Sequence, residues 1–95
     1  MAKSITRKTT GKQQTFSLAA PETNQVQLVG EFTRWTDHPI NMERDLGGVW
    51  WVAITLDQGR HSYRFIVDGQ WRDDTACPVR ESNPYGSENA VRLVT

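Results

Sequence analysis

The sequence predicts an all-β fold, an antiparallel β-sandwich of about seven short strands. Three observations carry that prediction. Apolar residues recur at every second position in several short runs, the period of a strand with one buried face. Glycine and proline fall between those runs, where turns need them. No stretch sustains the spacing of an amphipathic helix, so helical architectures are excluded.

The elements follow in order. Residues 1–14 are polar and basic, with Lys3, Arg7, Lys8 and Lys12 and no acid; they read as a flexible tail. Thr15-Phe16-Ser17-Leu18 alternates and breaks at Ala20-Pro21. Val26–Gly30 alternates again, with Val26 and Leu28 sharing a face, and Pro39–Glu43 sets Ile40 and Met42 together. Arg44–Gly48 is a turn. Val49–Leu56 is the strongest strand, with Trp50, Val52, Ile54 and Leu56 on one side and Trp51, Ala53 and Thr55 on the other. Asp57-Gln58-Gly59 reads as a hairpin turn into His61–Val67, where Tyr63, Phe65 and Val67 share a face. Asp68-Gly69 is a two-residue hairpin of the I′ kind, returning through Gln70-Trp71-Arg72. A long polar loop over residues 73–88 then precedes a last strand, Asn89–Val94.

Ninety-five residues make one domain, its folded part running from 15 to 95. Eleven basic residues balance eleven acidic ones, which argues against nucleic acid or an anionic membrane as partner. Setting the four basic residues of the tail aside leaves the folded part mildly acidic. Cys77 stands alone, so an internal disulfide and a cysteine-based zinc site are both excluded. The longest apolar run, Val49–Ile54, is far too short to span a bilayer. A reducing, cytoplasmic setting is the simplest expectation.

Catalytic chemistry finds no footing. Asp68 is half of a turn, and Asp73 and Asp74 open a polar loop where acids are ordinary, so they do not read as a hydrolytic carboxylate pair. His38 and His61 lack partners at metal or triad spacing. No phosphate-cradling loop or nucleophile elbow occurs, and neither a metal nor a cofactor is expected.

The aromatic residues are more informative. Four tryptophans in 95 residues is a rich complement, and they do not all fit the inward-facing set. Trp50 is in phase with the core, whereas Trp51 is out of phase. Trp35 follows a strand in Gly30-Glu31-Phe32-Thr33-Arg34-Trp35, and Trp71 sits at the end of a hairpin. Each ring alone is equally compatible with a loop anchor folded onto the sandwich and with an exposed platform. A flat indole covers the C–H face of a glucose ring while polar side chains at its rim bond the hydroxyls; two indoles at an angle match the curvature of an α-linked chain. Arg64, Arg72 and Asn89 are the polar groups nearest the two rings in this reading, and Arg64, out of phase with Tyr63, Phe65 and Val67, points away from the core.

Four segments together resemble a known family. They are Gln27-Leu28-Val29-Gly30-Glu31-Phe32-Thr33-Arg34-Trp35, then Gly48-Val49-Trp50, then the run from Gly59 to Trp71 containing Tyr63-Arg64-Phe65-Ile66-Val67-Asp68-Gly69-Gln70-Trp71, then Asn83-Pro84-Tyr85-Gly86-Ser87-Glu88-Asn89. The chain is similar, over about residues 15–95, to the carbohydrate-binding modules of family 48. That family includes the glycogen-binding domain of the AMP-activated protein kinase β subunit and the N-terminal early-set domains of isoamylases and glycogen branching enzymes.

The resemblance implies an immunoglobulin-like, early-set sandwich acting as a non-catalytic binder of glycogen, starch or maltooligosaccharide. It assigns the stacking tryptophans to Trp35 and Trp71, the basic hydroxyl-binding residue to Arg64, and the loop residue abutting the glucan to Tyr85. The hydroxyl and amide that follow are Ser87 and Asn89. Three departures stand out: Arg64 where lysine is usual, which turns a point donor into a planar fork; Tyr85 where an aliphatic residue is usual; and Thr33 where asparagine is usual. The competing expectation is a protein-interaction or structural accessory domain, docking a glucan-metabolising enzyme or a kinase complex through the same aromatic face.

Overall fold

A computed structural model describes residues 11–95, and every regular element in it longer than a single 3₁₀ turn is a strand. Nine strands run in chain order: β1 (Lys12–Ala19), β2 (Val26–Gly30), β3 (Ile40–Asn41), β4 (Glu43–Arg44), β5 (Val49–Leu56), β6 (Gly59–Val67), β7 (Gln70–Arg72), β8 (Arg80–Ser82) and β9 (Glu88–Val94). They form two antiparallel sheets, one ordered β1-β5-β4 and the other β3-β2-β6-β9-β8, with β7 also pairing β6. The chain is therefore the antiparallel β-sandwich that its periodicity predicts, of the immunoglobulin-like kind that the family resemblance implies.

The predicted phases set the interior. Trp50 and Leu56 of β5 face Tyr63, Phe65 and Val67 of β6 across the core, with Phe16, Val26 and Leu28 closing it. Three rings form its centre: Tyr63 stands edge-on to Phe16 at 4.7 Å and to Phe65 at 5.9 Å, the geometry aromatic quadrupoles favour. Trp50 is core as expected, with its indole N–H donating to the Ala20 carbonyl at 3.0 Å. Trp51 is on the central strand of its sheet, directed outward and partly exposed.

The structure corrects four sequence expectations. Asp57-Gln58-Gly59 is not a hairpin: β5 lies between β1 and β4, while β6 belongs to the other sheet. Both backbone edges of β5 are taken, by the sequence-distant β1 from Lys12↔Leu56 to Ala19↔Val49 on one side and by the preceding strand β4 at Glu43↔Trp51 and Arg44↔Trp50 on the other. The turn instead crosses between sheets, with Gly59 at φ 134° and His61 Nε2 2.7 Å from the Asp57 carbonyl oxygen. Second, the loop expected over 73–88 contains β8, and its last residue, Glu88, begins β9. Third, the Pro39–Glu43 run splits between sheets at the buried Met42, β3 pairing β2 and β4 pairing β5; together with β8 this raises the strand count from about seven to nine. Fourth, the tail expected over residues 1–14 gives way to strand at Lys12; residues 1–10 of that expectation lie outside the described residues.

The Asp68-Gly69 hairpin is as predicted. Both residues are left-handed, at φ 49° and 84°, and Val67 pairs with Gln70 across them. The Asp68 carboxylate also accepts the Asn24 and Gln25 backbone N–H groups at 3.0 and 2.9 Å, which ties the hairpin to the start of β2.

One buried polar contact has a pH consequence. Tyr63, 1% exposed, donates its hydroxyl to Asp74 Oδ2 at 2.5 Å. Burial first, and then the hydrogen bond to Asp74, push the Tyr63 hydroxyl well above the ordinary tyrosine value. A proton held more tightly in the folded state stabilises the fold below the unfolded pKa of about 10, and that contribution is lost as pH rises past it. Thermal unfolding midpoints are therefore expected to fall between about pH 9 and pH 11, and to fall less steeply in Tyr63→Phe. Parallel alkaline limbs in the two proteins would refute this role.

Candidate functional site

The predicted site residues gather on the outward face of the larger sheet. Trp35 gets there through a constrained loop. After β2 the chain makes two successive 3₁₀ turns, Glu31–Thr33 and Trp35–Asp37, the second packed back against β2. Thr33, 4% exposed, accepts the Gly30 N–H at 3.0 Å, and its hydroxyl lies 2.7 Å from the Trp35 carbonyl oxygen. The threonine that departs from the family pattern thus fastens the loop. Gly30 cannot carry a side chain, since a Cβ there would stand 2.5 Å from the Ser62 carbonyl oxygen. Arg34 and Trp35 both adopt left-handed φ values, 54° and 57°, a conformation costing a non-glycine residue of order ~1–3 kcal/mol and concentrated at functional sites.

Trp71 arrives from the other direction. It pairs with Ile66 on β7, two positions from Arg64 and so on the same outward face. The hairpin leaves its ring 45% exposed. The Trp35 and Trp71 ring centroids lie 6.3 Å apart with planes inclined by 47°, a bent aromatic surface. The rings line an open groove of about 640 Å³ with Thr36, Arg64, Asn83, Pro84, Tyr85 and Asn89, within the range of roughly 300–1,000 Å³ common to small-molecule clefts. Tyr85 stands at its rim, 90% exposed.

The polar residues below the rings are held by one another. Arg64, its side chain only 16% exposed, places Nη2 2.9 Å from Asp73 Oδ1. Its Nη1 donates to Ser87 Oγ at 3.3 Å, and its guanidinium carbon lies 5.3 Å from the Trp71 ring centroid, a cation–π contact. The guanidinium is therefore a strut beneath the platform rather than the free surface donor a lysine would be. Asn89 is 7% exposed; its Oδ1 accepts from Asn83 Nδ2 at 3.1 Å, and its own Nδ2 donates to Glu81 Oε2 at 3.4 Å. Ser87 sits behind the groove, its hydroxyl engaged by Arg64 and Asn83. Arg72 pairs with Phe65, out of phase with Trp71, and is not among the residues lining the groove.

The network continues to Glu81, which accepts hydrogen bonds from Ser62 Oγ and from Arg60 Nη2, the latter at 2.9 Å. The Ser62 bond above all, with help from Asn89 and Arg60 and against partial burial, holds the Glu81 carboxyl below its usual range.

Sequence reasoning missed Thr36, Asn83 and Pro84. Asn83-Pro84 was legible as the start of the motif around Tyr85, but nothing in a strand pattern shows where a loop amide points. The three carboxylates weighed for catalysis are each engaged structurally: Asp68 by backbone N–H groups, Asp73 by Arg64 and Asp74 by Tyr63. Among the described residues no group of three or more His, Cys, Asp or Glu side chains converges as a metal would require, and no helix is long and apolar enough to cross a membrane.

The family described as the glycogen recognition site of AMP-activated protein kinase matches residues 15–95. The chain is 39% identical over 72 residues to Protein FLOURY ENDOSPERM 6, chloroplastic, of Oryza sativa subsp. japonica, covering 76% of this chain and 13% of that protein. It is 39% identical over 70 residues to the 5'-AMP-activated protein kinase subunit beta-1 of Sus scrofa, covering 73% of this chain and 54% of that one. To Phosphoglucan phosphatase LSF1, chloroplastic, of Arabidopsis thaliana it is 31% identical over 80 residues, covering 84% of this chain and 13% of the phosphatase. The chain thus spans between 13% and 54% of the lengths of these relatives. Among solved structures, part of the enterobactin esterase FES from Shigella flexneri matches with a TM-score of 0.73 at 18% identity, covering 94% of this chain and 31% of the esterase. That last likeness is one of fold alone.

Proposed function

The chain belongs to the family of the glycogen recognition site of AMP-activated protein kinase, and from that premise we propose that it is a non-catalytic module holding an α-glucan against Trp35 and Trp71. The observation that carries the reading is the pair of indoles, 6.3 Å apart and inclined by 47°, lining one open groove on the solvent side of the sandwich. A straight, flat polysaccharide calls for coplanar rings; a curved α-linked chain calls for inclined ones.

In this reading the two indoles take the C–H faces of successive glucose units, and Tyr85 forms a third apolar side at the rim. Arg64 serves mainly by supporting Trp71 from below, with Asp73 and Ser87 holding it there. Asn89 and Ser87 contribute to the groove through the network they complete. A glucan seated here buries ~200 Å² of apolar surface, worth about 5 kcal/mol before the cost of association is subtracted. Micromolar to millimolar affinity follows, to order of magnitude.

The module's partner in this proposal is a glucan-metabolising or regulatory protein that it brings to the polymer. Support comes from the part of each relative that the chain spans, between 13% and 54% of its length. A cytoplasmic setting fits the lone free cysteine, Cys77.

Retention on amylose resin, with elution by maltoheptaose, tests the reading. The chain is expected to be retained and its tryptophan fluorescence to saturate with maltoheptaose. Failure on both counts would favour the aromatic face as a protein-docking surface, and new reducing ends on glycogen would refute the non-catalytic assignment.

A further inference from the structure

Asn83 is engaged more fully than any other side chain near the groove. Its Oδ1 accepts the backbone N–H groups of Tyr85 at 3.0 Å and Ser87 at 3.2 Å. Its Nδ2 donates to Ser87 Oγ at 2.9 Å and to Asn89 Oδ1 at 3.1 Å. Two backbone N–H groups can be met only by the amide oxygen, so the orientation of the carboxamide is settled by its neighbours. The backbone of Asn83 closes the same loop, its N–H donating to the Ser87 carbonyl at 3.0 Å, while Gly86 sits at φ 83°. One side chain therefore shapes the turn from 83 to 87 and fastens it to β9 through Asn89.

From this geometry we infer that Asn83 is a positioning residue for the glucan, setting Tyr85 as the rim of the groove opposite the tryptophan platform. The inference rests on the α-glucan reading of that groove. Tyr85 packs too little to place itself: at 90% exposure its ring has scant burial to restrain it, and ordering such a side chain when ligand binds carries an entropic penalty. The Asn83 carboxamide fixes the backbone on both sides of Gly86 and lowers that penalty in advance. A second link runs the other way. Ser87 Oγ receives both Asn83 Nδ2 and Arg64 Nη1, and Arg64 underlies Trp71. The rim and the platform are thus braced through one shared hydroxyl. No partner of Asn83 belongs to the sandwich core, so its loss should be felt in binding rather than in folding.

A double-mutant cycle on maltoheptaose affinity tests the inference, with Asn83→Ala, Tyr85→Ala and the double variant measured by tryptophan fluorescence beside their thermal midpoints. Each single substitution is expected to weaken binding about tenfold, and the double by little more than either, because Asn83 acts through Tyr85. Asn83→Asp keeps an oxygen facing both backbone N–H groups but gives up the two Nδ2 donations and sets a carboxylate oxygen against Asn89 Oδ1, so it is expected to weaken binding by an intermediate amount, about threefold to fivefold. Additive losses, parental binding by Asn83→Ala, or an Asn83→Asp defect as large as that of alanine would each overturn the inference while the parent and its Trp35 and Trp71 dependence left the glucan reading standing. A parent that binds no glucan at all would remove both together.

Discussion

Replacing Trp71 by alanine is expected to weaken maltoheptaose binding by about one to two orders of magnitude while leaving the thermal midpoint within a few degrees of the parent. The binding loss follows from area. Half of the platform goes, and ~100 Å² of apolar contact at about 25 cal/mol per Å² is roughly 2.5 kcal/mol. The small effect on folding follows from position. Trp71 is 45% exposed on a three-residue strand attached to β6 alone, so little packed surface depends on it. Trp35→Ala should weaken binding to a similar degree with a larger stability effect, because its ring is half-buried on a turn packed against β2. Isothermal titration on both variants beside the parent decides the matter. Two variants that bind as tightly as the parent would remove the platform from the site.

Phe16→Ala is expected to have the largest effect on the fold, about 3–5 kcal/mol out of a total stability of roughly 5–14 kcal/mol for a domain of this length. Phe16 is 1% exposed and joins the two sheets. From β1 its ring meets Tyr63 of β6 at 4.7 Å and Phe32 at 6.1 Å, and the Arg92 guanidinium of β9 lies over it at 4.0 Å. Truncation leaves a cavity that side chains on three separate elements, Tyr63, Phe32 and Arg92, cannot close together, and it strips Arg92 of its cation–π partner. Thermal melts followed by circular dichroism should show a drop on the order of 15 °C or more, with Phe16→Leu recovering part of it. A drop of only a degree or two would mean that the sheets are held together elsewhere.

The pattern of hits and misses along the chain has a physical cause. The faces of the longer strands were legible because alternation reports burial directly: Trp50 and Trp51 are neighbours in sequence, yet the phase of Val52, Ile54 and Leu56 separates core ring from surface ring. The Asp68-Gly69 turn was legible because positive φ at two adjacent residues selects for those residue types. The Asp57–Gly59 segment looks equally turn-like, and its composition is as compatible with a crossing between sheets as with a hairpin. What separates the two is which strands occupy the edges of β5, and β1 is some forty residues away in sequence. Strand β8 escaped notice because three residues amid polar loop sequence make no period.

The candidate site divides along the same line. A family resemblance named both indoles, Arg64, Tyr85, Ser87 and Asn89, and phase alone directed Arg64 outward. Tertiary structure decided what those groups are free to do. It turned Arg64 from a surface donor into a strut between Asp73, Ser87 and Trp71, buried the Asn89 amide, and brought in Asn83 as the residue that fastens the rim. Alternation and turn chemistry act between near neighbours, so one chain determines them unaided. The engagement of a polar side chain depends on partners supplied by other strands, and those meet only once the two sheets have closed on their core.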